Sequence, residues 1–150
     1  MSVTFQEEKI ADAINEMSPL LVKHWRGIAH YPDILLEPDI QQYTKLNDLN
    51  AIKLYTARDG NRTLIGYAVY FIKHNIHYKS SLQAVQDVIY IDKEKRGTGF
   101  KFIKWCDDQL RSLGVQAVYH HVKKQHNFGP ALERQGYELI DLIYGKRLDK

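Results

Sequence analysis

A basic, glycine-containing loop at residues 95–101 is the strongest indication of chemistry in this sequence. It reads Lys-Arg-Gly-Thr-Gly-Phe-Lys and lies between an apolar run that predicts a strand and a stretch that predicts a helix. Glycines let backbone N–H groups approach a ligand closely, and a helix N-terminus adds unpaired donors and partial positive charge. With Lys95, Arg96 and Lys101 beside it, this loop predicts a phosphate or pyrophosphate site. Glycine also serves simply to bend the backbone at such a turn, so a purely structural interpretation stays open.

Two other phosphate-binding motifs do not fit this loop. A dinucleotide-binding fingerprint requires a third glycine, at a position that is Phe102 here. The Walker-type P-loop pattern is absent from the sequence.

Candidate proton acceptors lie on the predicted strand before this loop and on the next predicted strand. Asp87 interrupts an apolar run and is expected to share a strand face with Ile89 and Ile91. Its alternative role is structural, as a carboxylate capped by a loop or paired with an arginine. His120 and His121 must point to opposite faces of their strand, and an imidazole titrates near neutral pH. The alternative role of each histidine is structural, as a polar strand residue whose hydrogen bonds are satisfied.

The remaining histidines and the single cysteine predict no metal site. None of these histidines shows metal-ligand spacing with an acidic partner; they are His24, His30, His74 and His77. Cys106 falls on the apolar stripe of a predicted helix and is expected in the core.

The elements that must position these residues follow from the spacing of apolar side chains. The first third predicts helices, at residues 5–17, 19–25 and 40–46, with a break at Ser18-Pro19. The middle third predicts strands, at residues 51–58, 64–72 and 84–91, with a polar loop at 74–81. The last third predicts helix 99–113, strand 116–122, helix 130–135 and one or two closing strands within 137–148. This order indicates a mixed α/β domain.

Length and composition indicate one soluble domain spanning residues 1–150. The chain has 44% hydrophobic and 26% charged residues, an ordinary globular mixture. It has no apolar run long enough to span a membrane, and its charged N-terminus lacks the apolar core of a signal peptide. One cysteine excludes an internal disulfide, so a cytoplasmic location is expected. A net charge of +3 favours an anionic ligand without indicating nucleic acid.

Residues 87–99, which join the Asp87 strand to the glycine loop, resemble the acyl-CoA-binding motif of the GNAT N-acetyltransferase superfamily. Residues 131–137, with their Gly-Tyr ending, resemble the last helix of that family, and the similarity covers about residues 50–148. Short segments at 75–81, 119–122 and 128–130 also resemble GNAT-like proteins of tailed bacteriophages. The resemblance implies a mostly antiparallel central sheet flanked by helices, with additional N-terminal helices that build the acceptor side.

The resemblance also implies where acetyl-CoA binds. Backbone groups of one strand segment would hold the pantetheine arm like an added strand; they belong to Ile89, Tyr90 and Ile91. The pyrophosphate would lie in the loop formed by Arg96, Gly97, Thr98, Gly99, Phe100 and Lys101. Asn127, or the neighbouring His126, would lie near the cofactor at the start of the final helix.

Two positions depart from the family pattern. The last motif position, usually Gly or Ala, is Lys101. The position of the tyrosine that often donates a proton to the departing thiolate is Leu132. Tyr137 or Tyr144 could replace that acid, and Tyr137 is the predicted choice.

The resulting hypothesis is an acetyl-CoA-dependent N-acetyltransferase that transfers acetyl directly to an amine on a small molecule or protein. The base would be Asp87 or His121. His121 is preferred to His120 because matching Val122 to a usually apolar position of the family places His121 at the position of the base. Two alternatives stay open: a GNAT-like enzyme that modifies nucleobases, and a non-catalytic module that binds a host protein in a bacterial cytoplasm. A homodimer is also an open option, because many GNAT relatives pair.

Overall fold

A five-stranded sheet with helices on both faces forms the centre of the computed structural model, which describes residues 2–95 and 97–150. In chain order, the elements are β1 (Thr4–Glu8), α1 (Ile10–Ile28), α2 (Ile40–Asp48), β2 (Ile52–Arg58), β3 (Leu64–Asn75), β4 (Tyr78–Ile91), α3 (Thr98–Ser112), β5 (Ala117–Tyr119) and α4 (Gly129–Glu133). A single 3₁₀ turn at Lys93–Lys95 joins β4 to the glycine loop.

The five strands lie side by side in chain order. β1 to β4 are antiparallel to their neighbours, and β5 alone runs parallel, next to β4. The crossover from β4 to β5 passes through α3, as a parallel connection requires. This confirms the predicted fold class, a mixed and mostly antiparallel sheet flanked by helices.

Each face of the sheet has its own apolar core. On one face, Phe102, Cys106 and Leu110 of α3 pack against the sheet with Tyr70 and Ala84. On the other face, α1 packs on strands β2 and β3 through buried residues, namely Ile10, Ala13 and Met17. The predicted core position of Cys106 is confirmed, and burial raises the pKa of its thiol well above the ordinary value.

The start of the chain differs from the prediction in two ways. Phe5 belongs to a strand, where it packs against Phe102 with ring centroids 5.2 Å apart. The predicted break at Pro19 is wrong, because α1 continues through it to Ile28. A proline inside a helix removes one backbone hydrogen bond. Continued packing of Leu20 and Leu21 against the core offsets that loss.

Two further predictions are wrong, the loop at 74–81 and the closing strands within 137–148. Residues 74–81 form the tip of a hairpin instead of a loop, because β3 extends to Asn75 and β4 begins at Tyr78. The predicted closing strands within residues 137–148 are not formed, since β5 is the last strand of the described chain. None of the helices in residues 2–95 and 97–150 has the length and apolarity needed to cross a membrane.

Candidate functional site

β4 and β5 pair over three residues only and then separate. Their parallel register covers Gln83 to Val85 of β4 and the whole of β5. From Gln86 to Ile91, β4 is paired with β3 on one side, while no strand of the described residues lies on the other. This free edge includes Ile89, Tyr90 and Ile91, the residues predicted to hold an extended ligand. An unpaired strand edge offers main-chain N–H and C=O groups to such a ligand.

The glycine loop lies where β4 leads into α3. Gly97 is the residue before the first turn of α3 and has φ +88°, a left-handed conformation that favours glycine. No side chain of the described residues caps this helix N-terminus, so its first N–H groups are left for solvent or a ligand. A Cβ added to Gly99 would meet only Ile91 Cγ1, at 3.9 Å. Among the predicted binding residues, Arg96 lies outside the described residues.

The rest of the loop is open to solvent. Lys101 and the side chain of Phe100 are exposed. The carbonyl of Phe100 accepts a hydrogen bond from Gln135 Nε2 at 3.0 Å, which ties the first turn of α3 to the end of α4. The helix N-terminus, the open Gly99 surface and the exposed ammonium group of Lys101 together suit an anionic group.

Asp87 is the extra residue of a β-bulge in β4. The register passes from Val69 opposite Val88 to Tyr70 opposite Gln86, which leaves Asp87 without a partner in β3. Its carboxylate accepts a short hydrogen bond from the hydroxyl of Tyr43 on α2. Burial and the nearby carboxylate both raise the pKa of Tyr43 far above its ordinary value. Tyr43 therefore stays a hydrogen-bond donor to Asp87 throughout the physiological pH range.

The bulge corrects the predicted orientation of Asp87. Ile89 and Ile91 pack against the core cluster beneath α3, whereas Asp87 bonds to α2 on the opposite face. A bulge adds one residue to one strand and so interrupts the alternation of side chains. Asp87 accordingly lies on the face covered by α1 and α2, at the position where β4 and β5 begin to separate.

The two adjacent histidines after β5 lie in opposite environments. His121 is exposed, and its backbone N–H donates to Gln86 Oε1 at 3.2 Å, next to Asp87 in β4. His120 is enclosed by Tyr70, Phe128 and Tyr137, with ring centroids 5.3–6.1 Å away. Neither ring nitrogen of His120 has a hydrogen-bond partner among the described residues. Burial, and secondarily His121, lowers the pKa of His120 to about 4.

The buried imidazole of His120 predicts a specific loss of stability in acid. Its folded pKa lies below the unfolded value of 6.5, so the unfolded chain binds more protons as the pH falls. Between pH 7 and pH 4, this should lower the free energy of unfolding of the native chain by about 3 kcal/mol. His120→Leu removes the titrating group and should lack this part of the pH dependence. Urea unfolding of both proteins at several pH values measures the difference, and parallel curves would contradict the prediction.

The proposed acid, Tyr137, faces α3. Its hydroxyl donates to Asp107 Oδ1 at 2.6 Å, and burial together with this carboxylate raises the pKa of Tyr137 far above 10. Burial also raises the pKa of Asp107. Leu132, at the family's usual tyrosine position, is buried in α4. The structure thus joins Tyr137 to Asp107 and to the His120 ring, and it places Asp87 in a separate pair with Tyr43.

Asn127 closes a local turn just before α4. Its Oδ1 accepts the backbone N–H of Gly129 at 2.8 Å, and the residue is exposed. Neighbouring His126 is also exposed, and its backbone N–H donates to the carbonyl of Lys123.

A large cleft of about 1710 Å³ is lined in part by Asn127. Its walls come from α1, the segment after α1, the end of β5 and residues 137–145, and they include Trp25, Tyr43, His120 and His121. Most of the lining is apolar and includes Trp25, Ile28 and Leu36. The volume exceeds the roughly 300–1,000 Å³ of common ligand pockets.

Several solved structures with a similar arrangement of elements are named as acetyltransferases. A ribosomal-protein-alanine N-acetyltransferase from Brucella melitensis biovar Abortus 2308 has a TM-score of 0.72 at 19% identity, covering 99% of this chain and 100% of that one. A glucosamine-6-phosphate N-acetyltransferase from Arabidopsis thaliana has a TM-score of 0.72 at 11% identity, with coverages of 99% and 100%. The chain has the GNAT acetyltransferase fold. No protein-family model matches the sequence, and no curated protein is significantly similar to it.

A third structure with the GNAT fold carries a ligand. It is a predicted acetyltransferase with acetyl-CoA from Clostridium acetobutylicum, with a TM-score of 0.65 at 12% identity, covering 98% of this chain and 97% of that one. The low identities mean that the comparison establishes the GNAT fold, while the chemistry of this chain depends on its own residues.

Sequence reasoning missed two residues that the GNAT fold brings to the site. Tyr43 lies 44 positions before Asp87, and Asp107 lies 30 positions before Tyr137. Tyr43 was part of a predicted helix, but a polar residue on a short helix gives no sign of its partner. Asp107 follows Cys106 on α3, and one acidic residue beside an apolar helical stripe gives no sign of its partner either.

Proposed function

We propose that this chain is an acetyl-CoA-dependent N-acetyltransferase that transfers acetyl directly to an amine. The observation that carries the proposal is the separation of β4 from β5 after Val85, with the uncapped N-terminus of α3 at the far end of the free edge. That geometry offers main-chain groups for an extended amide-containing arm and donors for a pyrophosphate, in the order in which they occur along coenzyme A.

The residues available for acetyl-CoA fit its chemistry. The free edge at Ile89, Tyr90 and Ile91 would hold the pantetheine arm, and the N–H groups of the Gly97–Lys101 turn would hold the pyrophosphate. Gly99 leaves its surface open, so phosphate oxygens can approach the backbone. Lys101 adds positive charge at the exposed side of the same turn. Asn127 and Arg96 complete the proposed set.

Asp87 is the proposed base. An aliphatic amine with a pKa of about 10.4 is protonated at neutral pH and must lose a proton before it can attack. The carboxylate of Asp87 would accept that proton, directly or through water, while Tyr43 holds the carboxylate in position. Bound acetyl-CoA supplies the activated acetyl group as a thioester. N–H groups of the β4 edge would stabilise the negative charge that develops during transfer.

His121 and Tyr137 remain proposed participants with different support. His121 is exposed at the cleft and next to Gln86, so it could relay the proton to solvent. Tyr137 is the proposed acid, but its hydroxyl is bound to Asp107 and would have to leave that carboxylate to protonate a thiolate. Asp87 therefore carries more of the proposed mechanism than Tyr137 does.

The apolar cleft is the proposed acceptor side. It lies between α1, the segment after α1 and residues 137–145, as expected for N-terminal helices that add to a GNAT core. Its wall includes Glu37, Glu138 and Asp141, whose carboxylates suit a cationic amine. The proposed partners are an amine-bearing small molecule or a protein amine. Four inferences from the sequence stay predictions: nucleobase modification, a host-binding role, a phage origin and a cytoplasmic location.

Binding of acetyl-CoA tests the first step of the proposal. Isothermal titration should give saturable binding to the native chain, with Gly99→Asp at least about 100-fold weaker. The introduced carboxylate would repel the pyrophosphate. The variant should still fold, because Gly99 has room for a side chain and an acidic residue is favourable in the first turn of a helix. Gly99→Asn has the same shape without the charge, so its smaller loss separates repulsion from crowding. Absence of binding at millimolar acetyl-CoA would overturn the proposal.

A small panel of amines tests the transfer step. An alanine-terminated peptide, glucosamine 6-phosphate and spermidine represent a protein N-terminus, an amino sugar and a polyamine. Release of free CoA thiol, confirmed by a mass increase of one acetyl group on the amine, would show the reaction. Binding without transfer to any amine would favour the non-catalytic alternative.

A further inference from the structure

The imidazole of His120 is a chemically active group that the proposed mechanism does not use. Both of its ring nitrogens are shielded from solvent, and neither has a hydrogen-bond partner among the described residues. Aromatic rings surround the imidazole instead, those of Tyr70, Phe128 and Tyr137. Buried polar groups in folded proteins nearly always have a partner, so this imidazole marks a position where a ligand would supply one.

His120 lies where β4 and β5 begin to separate. Val85 and Tyr119 form the last pair of the two strands, so Gln86 and His120 are the first residues on the two sides of the gap. The backbone N–H of His121 still reaches Gln86 Oε1, at 3.2 Å. His120 also lines the large cleft. The imidazole therefore lies at the closed end of the gap between the strands.

The proposed cofactor would bring its sulfur to this closed end. The pyrophosphate is proposed at the Gly97–Lys101 turn and the pantetheine arm along Ile89–Ile91, and this placement rests on the proposed function. A ligand that pairs with a strand edge follows that strand. The thioester would therefore come next along β4, toward Gln86, and so at the level of His120.

Asp87 and His120 lie on opposite faces of the sheet at this level. Asp87 bonds to Tyr43 on α2, whereas the ring of His120 contacts Tyr70, which belongs to the apolar cluster beneath α3. One face thus offers the proposed base to the amine. The other face offers an imidazole to the leaving group.

His120 is also a more available donor than the proposed acid. The hydroxyl of Tyr137 would have to leave Asp107, whereas His120 has no partner among the described residues to give up. Burial, and secondarily His121, lowers the pKa of His120 to about 4, so the imidazole is neutral at pH 7 and carries one N–H group. A neutral N–H group donates a hydrogen bond to an anion and keeps its proton.

We propose that His120 is a catalytic residue whose N–H group donates a hydrogen bond to the sulfur of coenzyme A as the thiolate departs. The amine, deprotonated by Asp87, forms the new bond to the acetyl carbon, and the carbon–sulfur bond breaks with its electron pair on sulfur. The amine nitrogen then gives one proton to water, the imidazole keeps its own, and the thiolate leaves as an anion. His120 thereby supplies the donor that Leu132 lacks.

The acidity of the bound thiol tests this proposal without an acceptor amine. Thiolates absorb ultraviolet light more strongly than thiols, so the absorbance of the complex with coenzyme A at pH 7.5 measures the thiolate fraction. Desulfo-coenzyme A, which lacks the sulfur, gives the baseline. Because a hydrogen bond favours the charged form, the ratio of thiolate to thiol should be at least about 10-fold higher in the native complex than in His120→Leu. Cys106 does not interfere, since burial raises the pKa of its thiol far above this pH.

Three further variants make the result specific to the N–H donor. His120→Gln retains a side-chain N–H group and should keep most of the bound thiolate. His120→Phe keeps an aromatic ring without a donor, and it provides the comparison if circular dichroism shows that His120→Leu is unfolded. His74→Leu is the matched control, because His74 is an exposed imidazole near the end of β3. It should give the native ratio.

The outcomes separate this inference from the proposed function. Binding of coenzyme A with equal thiolate ratios in the native chain and His120→Leu would refute the inference alone. A loss in His120→Gln as large as in His120→Leu would refute it too, because the imidazole would then act through packing. Absence of coenzyme A binding to the native chain would refute the proposed function and this inference with it.

Discussion

Asp87→Asn should lower kcat/KM by about 10³-fold at pH 7 when an acceptor amine has been identified. General-base catalysis contributes roughly 10²–10⁴-fold, and an amide cannot accept the proton. The substitution keeps the size of the side chain and leaves Tyr43 a carbonyl acceptor, so acetyl-CoA binding should change little. Release of CoA thiol under saturating and limiting amine separates kcat from KM. Unchanged turnover would remove Asp87 from the mechanism.

A matched control comes from the exposed face of helix α3. Asp108→Asn makes the same chemical change at a surface carboxylate whose ion pair, within the described residues, is with Arg111, one turn away. It should retain native activity. If both variants lost activity equally, the effect would reflect general charge and not the position of Asp87.

Tyr43 can be tested as a positioning residue through a double substitution. Tyr43→Phe removes the hydroxyl that holds the Asp87 carboxylate, so kcat/KM should fall, by less than in Asp87→Asn. Adding Tyr43→Phe to Asp87→Asn should cause little further loss, because Tyr43 acts through Asp87. A merely structural role for Tyr43 would lower the activity of the native chain and of Asp87→Asn by the same factor.

The arrangement around Asp87 also shows where prediction from sequence reaches its limit. The apolar run of β4, the glycine turn and the amphipathic stripe of α3 are local patterns, and they were enough to predict the strand, loop and helix in order. The bulge is not local, because it depends on the register between β3 and β4. Period-two spacing therefore placed Asp87 on the wrong face.

Elements that depend on distant partners were also missed. β1 is a short edge strand with two glutamates, and its place beside β2 is decided by pairing rather than by its own pattern. Pro19 predicted a helix end, but packing of the turns on both sides of it keeps α1 intact. Residues 138–148 have the composition of a strand, but no strand forms there. Composition describes the segment alone, whereas a strand needs main-chain pairing with another edge of the fold.

Arg58 joins three elements that no local sequence pattern connects. It is 6% exposed at the end of β2 and binds the carboxylate of Glu8 on β1 through Nε and Nη2, at 2.8 and 2.9 Å. Its other contacts are Glu16 on α1, at 2.9 Å, and the carbonyl of Arg62 in the following turn, at 2.8 Å. The hydrogen bonds from Arg58 lower the pKa of both glutamates. This guanidinium thus links the edge strand, the first helix and the β2–β3 turn.

Arg58→Met should lower the free energy of unfolding by about 3–5 kcal/mol at pH 7, because removing one partner leaves the largely buried Glu8 without its cation. Both glutamates titrate below 4.5 in the native chain, so the stability that Arg58 provides is present above that pH and is lost as the pH falls. The native chain and the variant should therefore converge in acid. Arg111→Met, which breaks an exposed pair with Asp108, should cost less than about 1 kcal/mol. Chemical unfolding of all three proteins at pH 7 and at a series of pH values below 4.5 measures these values. An equally small loss in Arg58→Met would show that solvent reaches Glu8 and replaces the guanidinium.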